Sequence, residues 1–334
     1  MTRTHHRLAA AAALVAGSTS WAQQAPPPGM PVPPPGLMEH LRALQAKFNA
    51  TPDTPGDGAY PAIKEEMPSL PDHVVYRPAD LSRLDGHKLP ILVWGNGGCS
   101  ADGASGRLHL AEIASHGYLA IANGTIKSGP GAPPQPPQPM PQAGQPVRLP
   151  PPETSAAQLS QAIDWAISEN RRAGSPFFGK LDTDAIAVSG WSCGGVQALT
   201  VATSDPRVKA VIIHDSGLFS TATPMPGMDL PKSALDRLHT PILYVLGGPS
   251  DIAYANGMDD YARISRTPAA VVNIGDVGHG GTFYDPNGGK AAQIALAWLD
   301  WQLKGDRTAE RMFVGADCTL CRDAEVKYQK KLLD

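Results

Sequence analysis

A serine between two glycines carries the strongest chemical signal in this sequence. The run Gly-Trp-Ser-Cys-Gly at 190–194 comes directly after an apolar strand-like run and directly before a helical pattern. A nucleophile at such a sharp turn has strained backbone angles, and glycines two residues to either side leave room for the adjoining strand and helix. The pattern predicts that Ser192 is a nucleophile; the alternative is a glycine-rich turn with an ordinary serine.

Two later residues can supply the base and the acid that such a serine needs. A serine hydroxyl is a weak nucleophile until a base takes its proton, and the base needs an acid to orient it. Where a serine occupies this kind of turn, the order along the chain is serine, acid, histidine. Asp251 follows the run PILYVLGG, and His279 follows AAVVNIG between two glycines. We predict that Asp251 orients His279, with Asp215 after the preceding strand as the alternative acid and Asp276 as a further carboxylate near the histidine.

Backbone amides are the fourth component of such a site, because they bind the oxyanion of a tetrahedral intermediate. The amide of Cys193, the residue after the nucleophile, is one expected donor. The other is expected from the glycine-rich run at 95–99, where Gly98 and Cys99 are the two candidates. A plain turn is the alternative at this place, since paired glycines are common in loops.

Short apolar runs precede these residues and predict the strands that position them. Runs rich in valine, isoleucine and leucine without polar alternation are typical of parallel strands covered on both faces. They are Leu89–Trp94, Tyr118–Asn123, Ala185–Ser189, Val208–His214, Ile242–Gly247 and Ala270–Ile274. Helical patterns occupy 107–116, 155–170 after a Ser155 cap, 194–204 and 289–303. This alternation predicts one α/β domain with a doubly wound, mostly parallel sheet, whose ligand crevice lies at the carboxyl ends of the strands.

The four cysteines admit three disulfide pairings. Cys99 and Cys193 lie on the two loops that must both reach the oxyanion, so we predict that they are bonded to each other. Cys318 and Cys321 would then close a small ring near the end of the chain. A redox role for this second pair and a zinc site are the alternatives; the pair opens no strand-helix unit, and no second ligand pair lies at a suitable spacing.

The start of the chain predicts export. A basic beginning, an apolar centre at 8–16 and small residues around position 22 are typical of a secretory signal at 1–22, with a buried N-terminal helix as the alternative. Residues 23–56 are expected to form a proline-rich spacer and N-terminal extension. The α/β domain is expected at 57–315, followed by a tail with the cysteine pair at 316–334.

More than half of the 34 prolines lie in two stretches, 26–35 and 130–152. The second stretch follows the strand Tyr118–Asn123, so it leaves the sheet at the edge that carries Ser192. We hypothesise that this insert shapes access to the crevice; the alternative is an inert loop.

Charge and hydropathy exclude several classes of partner. The chain has 28 basic and 31 acidic residues, a net charge of −3, and no basic stripe, so nucleic acid is not an expected partner. The early apolar run is too short to cross a bilayer, and no later run approaches the length of about 18 apolar residues, so no membrane span is expected. No motif implies a metal or an organic cofactor.

The chain resembles the α/β-hydrolase family, and within it the secreted cutinase-like and polyester-hydrolase-like esterases of the dienelactone-hydrolase clan. The resemblance covers 57–315, with the motifs ASHGYLAIANGT (114–125), GWSCGG (190–195), SDIAY (250–254), GHGGTF (278–283) and AWLDWQLKGD (297–306). It implies an α/β-hydrolase fold and the same roles for Ser192, Asp251 and His279. The chain differs from polyester hydrolases in its insert and in its oxyanion loop at 97–99, which lacks their aromatic residue.

The expected function is that of a secreted or periplasmic serine hydrolase that cleaves small or polymeric carboxylic esters through an acyl-enzyme. Acyl transfer or peptide cleavage by the same triad is an alternative within catalysis. A catalytically silent secreted binding module is an alternative from a different class.

Overall fold

Nine strands form one mixed sheet at the centre of the protein. The structure is a computed structural model, and it describes residues 46–134, 151–220 and 228–333. The predicted signal at 1–22, most of the spacer and extension, and most of the 130–152 insert lie outside the described residues.

The strands lie in the order β1-β2-β4-β3-β5-β6-β7-β8-β9 across the sheet. In chain order they are β1 (Ala62–Met67), β2 (Leu70–Pro78), β3 (Leu89–Gly95), β4 (Leu119–Asn123), β5 (Leu181–Trp191), β6 (Val208–His214), β7 (Ile242–Leu246), β8 (Ala269–Ile274) and β9 (Val326–Lys331). The six strands from β4 to β8 across the sheet are parallel. Antiparallel pairing occurs toward the two edges of the sheet, where β1 pairs with β2, β2 with β4 and β9 with β8.

Helices cover both faces of this sheet. The α-helices that lie wholly within the described ranges are α1 (Arg107–Ser115), α2 (Ala156–Arg171), α3 (Cys193–Ala202), α4 (Tyr254–Arg263), α5 (Gly289–Lys304), α6 (Arg307–Glu310) and α7 (Thr319–Arg322). Leu159 and Leu199 bring α2 and α3 into the core on one face. Leu110 and Trp298 bring α1 and α5 into the core on the other face. Burial of apolar surface on both faces is what makes the inner strands apolar throughout.

The predicted α/β class and the six predicted parallel strands are confirmed, and only their ends differ. Val208–His214 has the predicted bounds, whereas β5 begins at Leu181 and ends at Trp191. The predicted cap of α2 is present, since Ser155 and Gln158 form a reciprocal capping box. The last long helix ends at Gly305, which has a φ of 69°. A left-handed residue of this kind is a common helix end, and glycine adopts it without strain.

Three strands (β1, β2 and β9) and three helices (α4, α6 and α7) are additions to the predicted elements. The edge strands β1 and β9 have the sequences AIKEEM and VKYQKK. None of their charged residues is fully buried, so these strands lack the apolar run of an inner strand. The strand β9 lies within the tail predicted at 316–334 and pairs with β8. The helix α4 contains Asn256-Gly257, which is a typical turn dipeptide. Gly257 serves packing here, because a Cβ at this position would lie 2.7 Å from the carbonyl oxygen of Ser216.

Candidate active site

Ser192 lies at the turn between β5 and α3, at the carboxyl edge of the sheet. Its backbone has a φ of 54° and a ψ of −122°, a conformation that a non-glycine residue rarely adopts. The amide of Ser192 donates to the carbonyl oxygen of His214 at 3.0 Å, which holds the turn against β6. A Cβ at Gly190 would lie 2.3 Å from the carbonyl oxygen of Gly194, and a Cβ at Gly194 would lie 2.0 Å from that of Gly95. The glycines of the motif therefore permit contact between strand, turn and helix.

The structure brings Ser192, His279 and Asp251 into one hydrogen-bonded chain. Nε2 of His279 lies 2.9 Å from Oγ of Ser192, and Nδ1 lies 2.6 Å from Oδ1 of Asp251. The three residues follow β5, β8 and β7, which lie close together in the sheet. His279 and Asp251 are buried, whereas Ser192 is partly exposed. This is the geometry of a base poised to take the serine proton while a carboxylate holds the other ring nitrogen.

The two other candidate acids have different surroundings. Asp276 is exposed at the start of the loop before His279, and its Oδ1 accepts the amide of Ser250 at 2.7 Å. Asp215 is buried beside Asp251. Burial and the neighbouring Asp251 raise the pKa of Asp215 well above the usual value for an aspartate. Asp251, not Asp215, is therefore the carboxylate that contacts the histidine.

The glycine-rich loop after β3 forms a tight turn at Gly97–Cys99. Gly98 has a φ of 63° and is partly exposed, whereas Cys99 is completely buried. The amide of Cys99 donates to the carbonyl oxygen of Asn96 at 3.2 Å. A Cβ at Gly97 would lie 2.2 Å from the ring of Trp191, so only glycine lets this loop lie against the nucleophile turn.

A disulfide between Cys99 and Cys193 joins this loop to the first residue of α3, with 5.2 Å between the two Cα atoms. The end of the proline-rich insert contacts the same loop. The amides of Glu153 and Thr154 donate to the carbonyl oxygen of Cys99 at 2.9 Å and 3.0 Å. Cys318 and Cys321 form the second disulfide. Both pairings are the ones that the sequence predicts.

A family model described as PETase, PET hydrolase-like, matches residues 145–330, which is more than half of the chain. The chain belongs to the PET hydrolase-like family. This family consists of polyester hydrolases with the α/β-hydrolase fold, which confirms the predicted resemblance and places the chain among ester hydrolases. A comparison with curated proteins found no match.

The matched range contains Ser192, Asp251 and His279, so the family relationship covers the whole hydrogen-bonded chain. The glycine-rich loop at 95–99 and the strands β1 to β4 precede the matched range. Within the ranges that the structure describes, no helix combines the length and the apolar character needed to cross a membrane.

Trp191 is a site residue that the sequence reasoning missed. Its indole Nε1 donates to the carbonyl oxygen of His279 at 2.8 Å. The ring centroids of Trp191 and His279 are 5.6 Å apart. Trp191 therefore fixes the backbone of His279 from the residue next to Ser192. The available signal is a large aromatic residue directly before Ser192, at a position where the G-x-S-x-G pattern accepts any residue.

Replacing Trp191 with phenylalanine is expected to lower kcat about 5-fold with little change in KM, because a net hydrogen bond of about 1 kcal/mol to the histidine backbone is lost. Trp301→Phe is the matched control, since Trp301 stacks on Phe313 near the C-terminal end of α5. Steady-state kinetics on one soluble ester measures both variants. Equal kcat values for the two variants would contradict a positioning role for Trp191.

One group of possible metal ligands occurs among the described residues. Asp57, Glu112 and His116 have ligand atoms within 4.8 Å of one another. The amide of Asp57 donates to Glu112 at 3.1 Å, and Nε2 of His116 lies 3.0 Å from the same carboxyl group. Burial raises the pKa of Glu112, and its hydrogen bond lowers the pKa of Asp57. The group lies at the C-terminal end of α1, away from the edge that carries Ser192.

Proposed function

We propose that this protein is an exported serine hydrolase that cleaves carboxylic esters through an acyl-enzyme. The observation that supports this most is the continuous hydrogen-bonded chain from Asp251 through His279 to Ser192 at the carboxyl edge of an α/β sheet. Membership of an ester-hydrolase family agrees with it.

In the acylation half-reaction, Nε2 of His279 takes the proton of Ser192 while Oγ attacks the carbonyl carbon of the ester. The C–O bond to the alcohol then breaks, and His279 returns the proton to the leaving alcohol. Water repeats the same steps on the acyl-enzyme and releases the acid. Asp251 stabilises the imidazolium that forms in each half. These steps need no metal and no organic cofactor.

The oxyanion of each tetrahedral intermediate would be bound by the amides of Cys193 and Gly98. Cys193 is the first residue of α3, where backbone amides have no partner inside the helix. Of the two candidates in the loop, Cys99 donates its amide to Asn96 and is completely buried. Gly98 is partly exposed, so its amide is the one that we assign to the oxyanion.

Apolar side chains beside the triad favour an ester with apolar groups. Ile252, Val277 and Tyr284 are 42%, 46% and 49% exposed, and each lies within five residues of Asp251 or His279 in the sequence. Exposed apolar groups around a site are typical of a surface that binds an apolar ligand. A small-molecule ester and a polymer chain would both present such groups.

Export rests on the signal predicted at 1–22 and on the cysteines. Both disulfides of the structure require an oxidising compartment to persist. We therefore propose that the protein acts in the periplasm or outside the cell.

The test combines hydrolysis with covalent labelling. The full chain is expected to release p-nitrophenol from short-chain p-nitrophenyl esters. A fluorophosphonate probe is expected to modify Ser192, located by mass spectrometry of the digested protein. Absence of hydrolysis together with absence of labelling would favour a binding module, and labelling at another serine would refute the proposed nucleophile.

Removal of the Cys99–Cys193 disulfide by a double Cys→Ala substitution is expected to lower kcat/KM about 10-fold, because both oxyanion amides lose their common constraint. The bond closes a span of 94 residues, so the free energy of unfolding should also fall by about 4–5 kcal/mol. The matched control replaces Cys318 and Cys321, which are 3 residues apart. Equal losses of activity in the two double variants would contradict the role assigned to the first disulfide.

A further inference from the structure

A second carboxyl group lies against the acid of the triad. Asp215 directly follows β6, and Asp251 lies in the loop after the neighbouring parallel strand β7. The amide of Asp215 donates to the carbonyl oxygen of Val245 at 2.8 Å, which fixes its position relative to β7. Both side chains belong to residues that are 3% exposed. The sheet therefore presents two buried aspartates side by side at its carboxyl edge.

The hydrogen bonds of Asp251 leave one of its oxygens without a donor. Oδ1 accepts from Nδ1 of His279 at 2.6 Å and from the amide of Ala253 at 2.8 Å. Oδ2 is buried, and it has no hydrogen-bond partner among the amide, hydroxyl and other permanent donors of the described residues. A buried carboxylate oxygen normally has a donor. Asp215, directly after the neighbouring strand, has a buried carboxyl group whose pKa responds to Asp251, and this carboxyl group becomes a donor when it is protonated.

The surroundings of Asp215 favour a neutral side chain. Burial, the negative charge of Asp251 and the hydrogen bond to it all raise the pKa of Asp215, and the amide of Gly247 is the one neighbour that lowers it. The other titratable groups on the adjoining elements are His214 on β6, His279 after β8, and Asp260 on α4 with its partner Lys232. Lys232 is bonded to Asp260, and His214 lies in an aromatic cluster with Trp94 and Phe283. Two adjacent carboxylates without a cation between them cannot both be ionised at low cost.

We propose that Asp215 is a positioning residue that retains its proton and donates it in a hydrogen bond to Oδ2 of Asp251. This inference rests on the proposed function, because Asp251 acts there as the acid that orients the base. Asp251 is then held by three hydrogen bonds, and the pair carries one negative charge. His279 consequently faces one negative charge, on a carboxylate whose orientation is fixed. Nothing is transferred during turnover, since the proton stays on Asp215.

The backbone around Asp215 fits this arrangement. Asp215 has a φ of 42°, a left-handed conformation in which aspartate and asparagine are the best tolerated residues apart from glycine. A Cβ at Gly281 would lie 2.8 Å from Oδ2 of Asp215. Glycine at 281 therefore leaves space for the carboxyl group.

The test compares Asp215→Asn with Asp215→Ala through the acid limb of the pH profile of kcat/KM, which reports the ionisation of His279 in the free enzyme. Asparagine is neutral and can still donate to Asp251, so its kcat/KM is expected to stay within about 3-fold of the wild type with the same acid limb. Alanine removes the donor, so kcat/KM is expected to fall about 10-fold, with an acid limb at or above that of the wild type.

If Asp215 is ionised instead, the acid limb of the pH profile is expected to move in the opposite direction. Each substitution would then remove a negative charge near His279 and move the acid limb down by about one pH unit. That downward shift, or an alanine variant as active as the asparagine variant, would overturn the proposal. If the alanine variant fails to fold, the asparagine variant alone decides through the position of its acid limb.

The titration of His279 can also be followed by ¹⁵N NMR of the ring, which needs no substrate. The midpoint is expected to be the same in the wild type and in Asp215→Asn. A lower midpoint in Asp215→Asn, with Ser192→Ala inactive, would refute the role of Asp215 and leave the esterase proposal intact. Full activity of Ser192→Ala would refute the esterase proposal, and the NMR midpoints would still decide the charge of Asp215.

Discussion

Ser192→Ala is expected to lower kcat/KM for p-nitrophenyl esters by at least about 10⁴-fold, because the nucleophile that carries the acyl group is lost. The remaining groups of the triad then have no proton to move. A residual rate above water is expected from the amides of Gly98 and Cys193, which would still bind an oxyanion. The measurement is the initial rate of p-nitrophenol release, with enough of the variant enzyme for its slow rate to be detected.

The control for this substitution is Ser204→Ala. Ser204 is an exposed serine two residues beyond the end of α3, so its hydroxyl cannot contact the substrate at the turn. Its kcat/KM should equal that of the wild type, and the unfolding midpoints of both variants should not fall. Retention of more than about one hundredth of the wild-type rate in Ser192→Ala would contradict the acyl-enzyme mechanism.

The sequence alone was sufficient to predict the inner sheet and to place Ser192, Asp251 and His279 at one edge of it, where they are hydrogen-bonded to one another; their role as a catalytic triad stays a prediction. Each strand from β3 to β8 is an apolar run, and the residues with chemical function follow three of these runs. Because parallel strands share a carboxyl edge, the order of the runs brings Ser192, Asp251 and His279 to one place. The Cys99–Cys193 disulfide could also be predicted, because the two cysteines lie on loops that are expected to meet at the same edge of the sheet.

The sequence could not predict the directions in which the side chains around the site point. Both Asp215 and Asp251 lie beyond a strand end, and the sequence offered Asp215 only as the alternative acid. The position of its side chain beside Asp251 depends on backbone angles that no motif encodes. The bond from Trp191 to the carbonyl oxygen of His279 likewise joins two loops far apart in the chain. The edge strands β1 and β9 escaped prediction because only one residue of each is buried, so neither contains an apolar run.

Two buried histidines next to the nucleophile turn predict that the fold loses stability in acid. His109 on α1 and His214 on β6 have ring centroids 5.0 Å apart and pack against Trp94 and Phe283. Within the described structure no hydrogen-bond partner reaches a ring nitrogen of either histidine. Burial lowers the pKa of His109 to about 3 and also lowers the pKa of His214 well below its usual value, with His109 as a smaller second cause for His214.

The sign of the effect follows from where the protons bind. Between about pH 3 and pH 6.5 the unfolded chain protonates His109, whereas the folded protein leaves it neutral. The unfolded state therefore binds more protons, and the free energy of unfolding falls as the pH falls through this window. One pKa unit corresponds to about 1.4 kcal/mol, so His109 alone should remove about 2 kcal/mol between pH 6.5 and pH 5, and about 4 kcal/mol by pH 3.

The measurement is urea unfolding of the wild type and of His109→Leu at pH 7.5 and pH 5. Leucine is close in volume and cannot be protonated, so the stability difference between the two pH values should be about 2 kcal/mol smaller in this variant. His87→Leu is the matched control, because His87 is exposed and should leave the difference unchanged. An equal loss in the His109 variant and the wild type would show that His109 is not the origin of the acid sensitivity. Since the carbonyl oxygen of His214 accepts the amide of Ser192, acid that opens this cluster should also abolish esterase activity at the same midpoint.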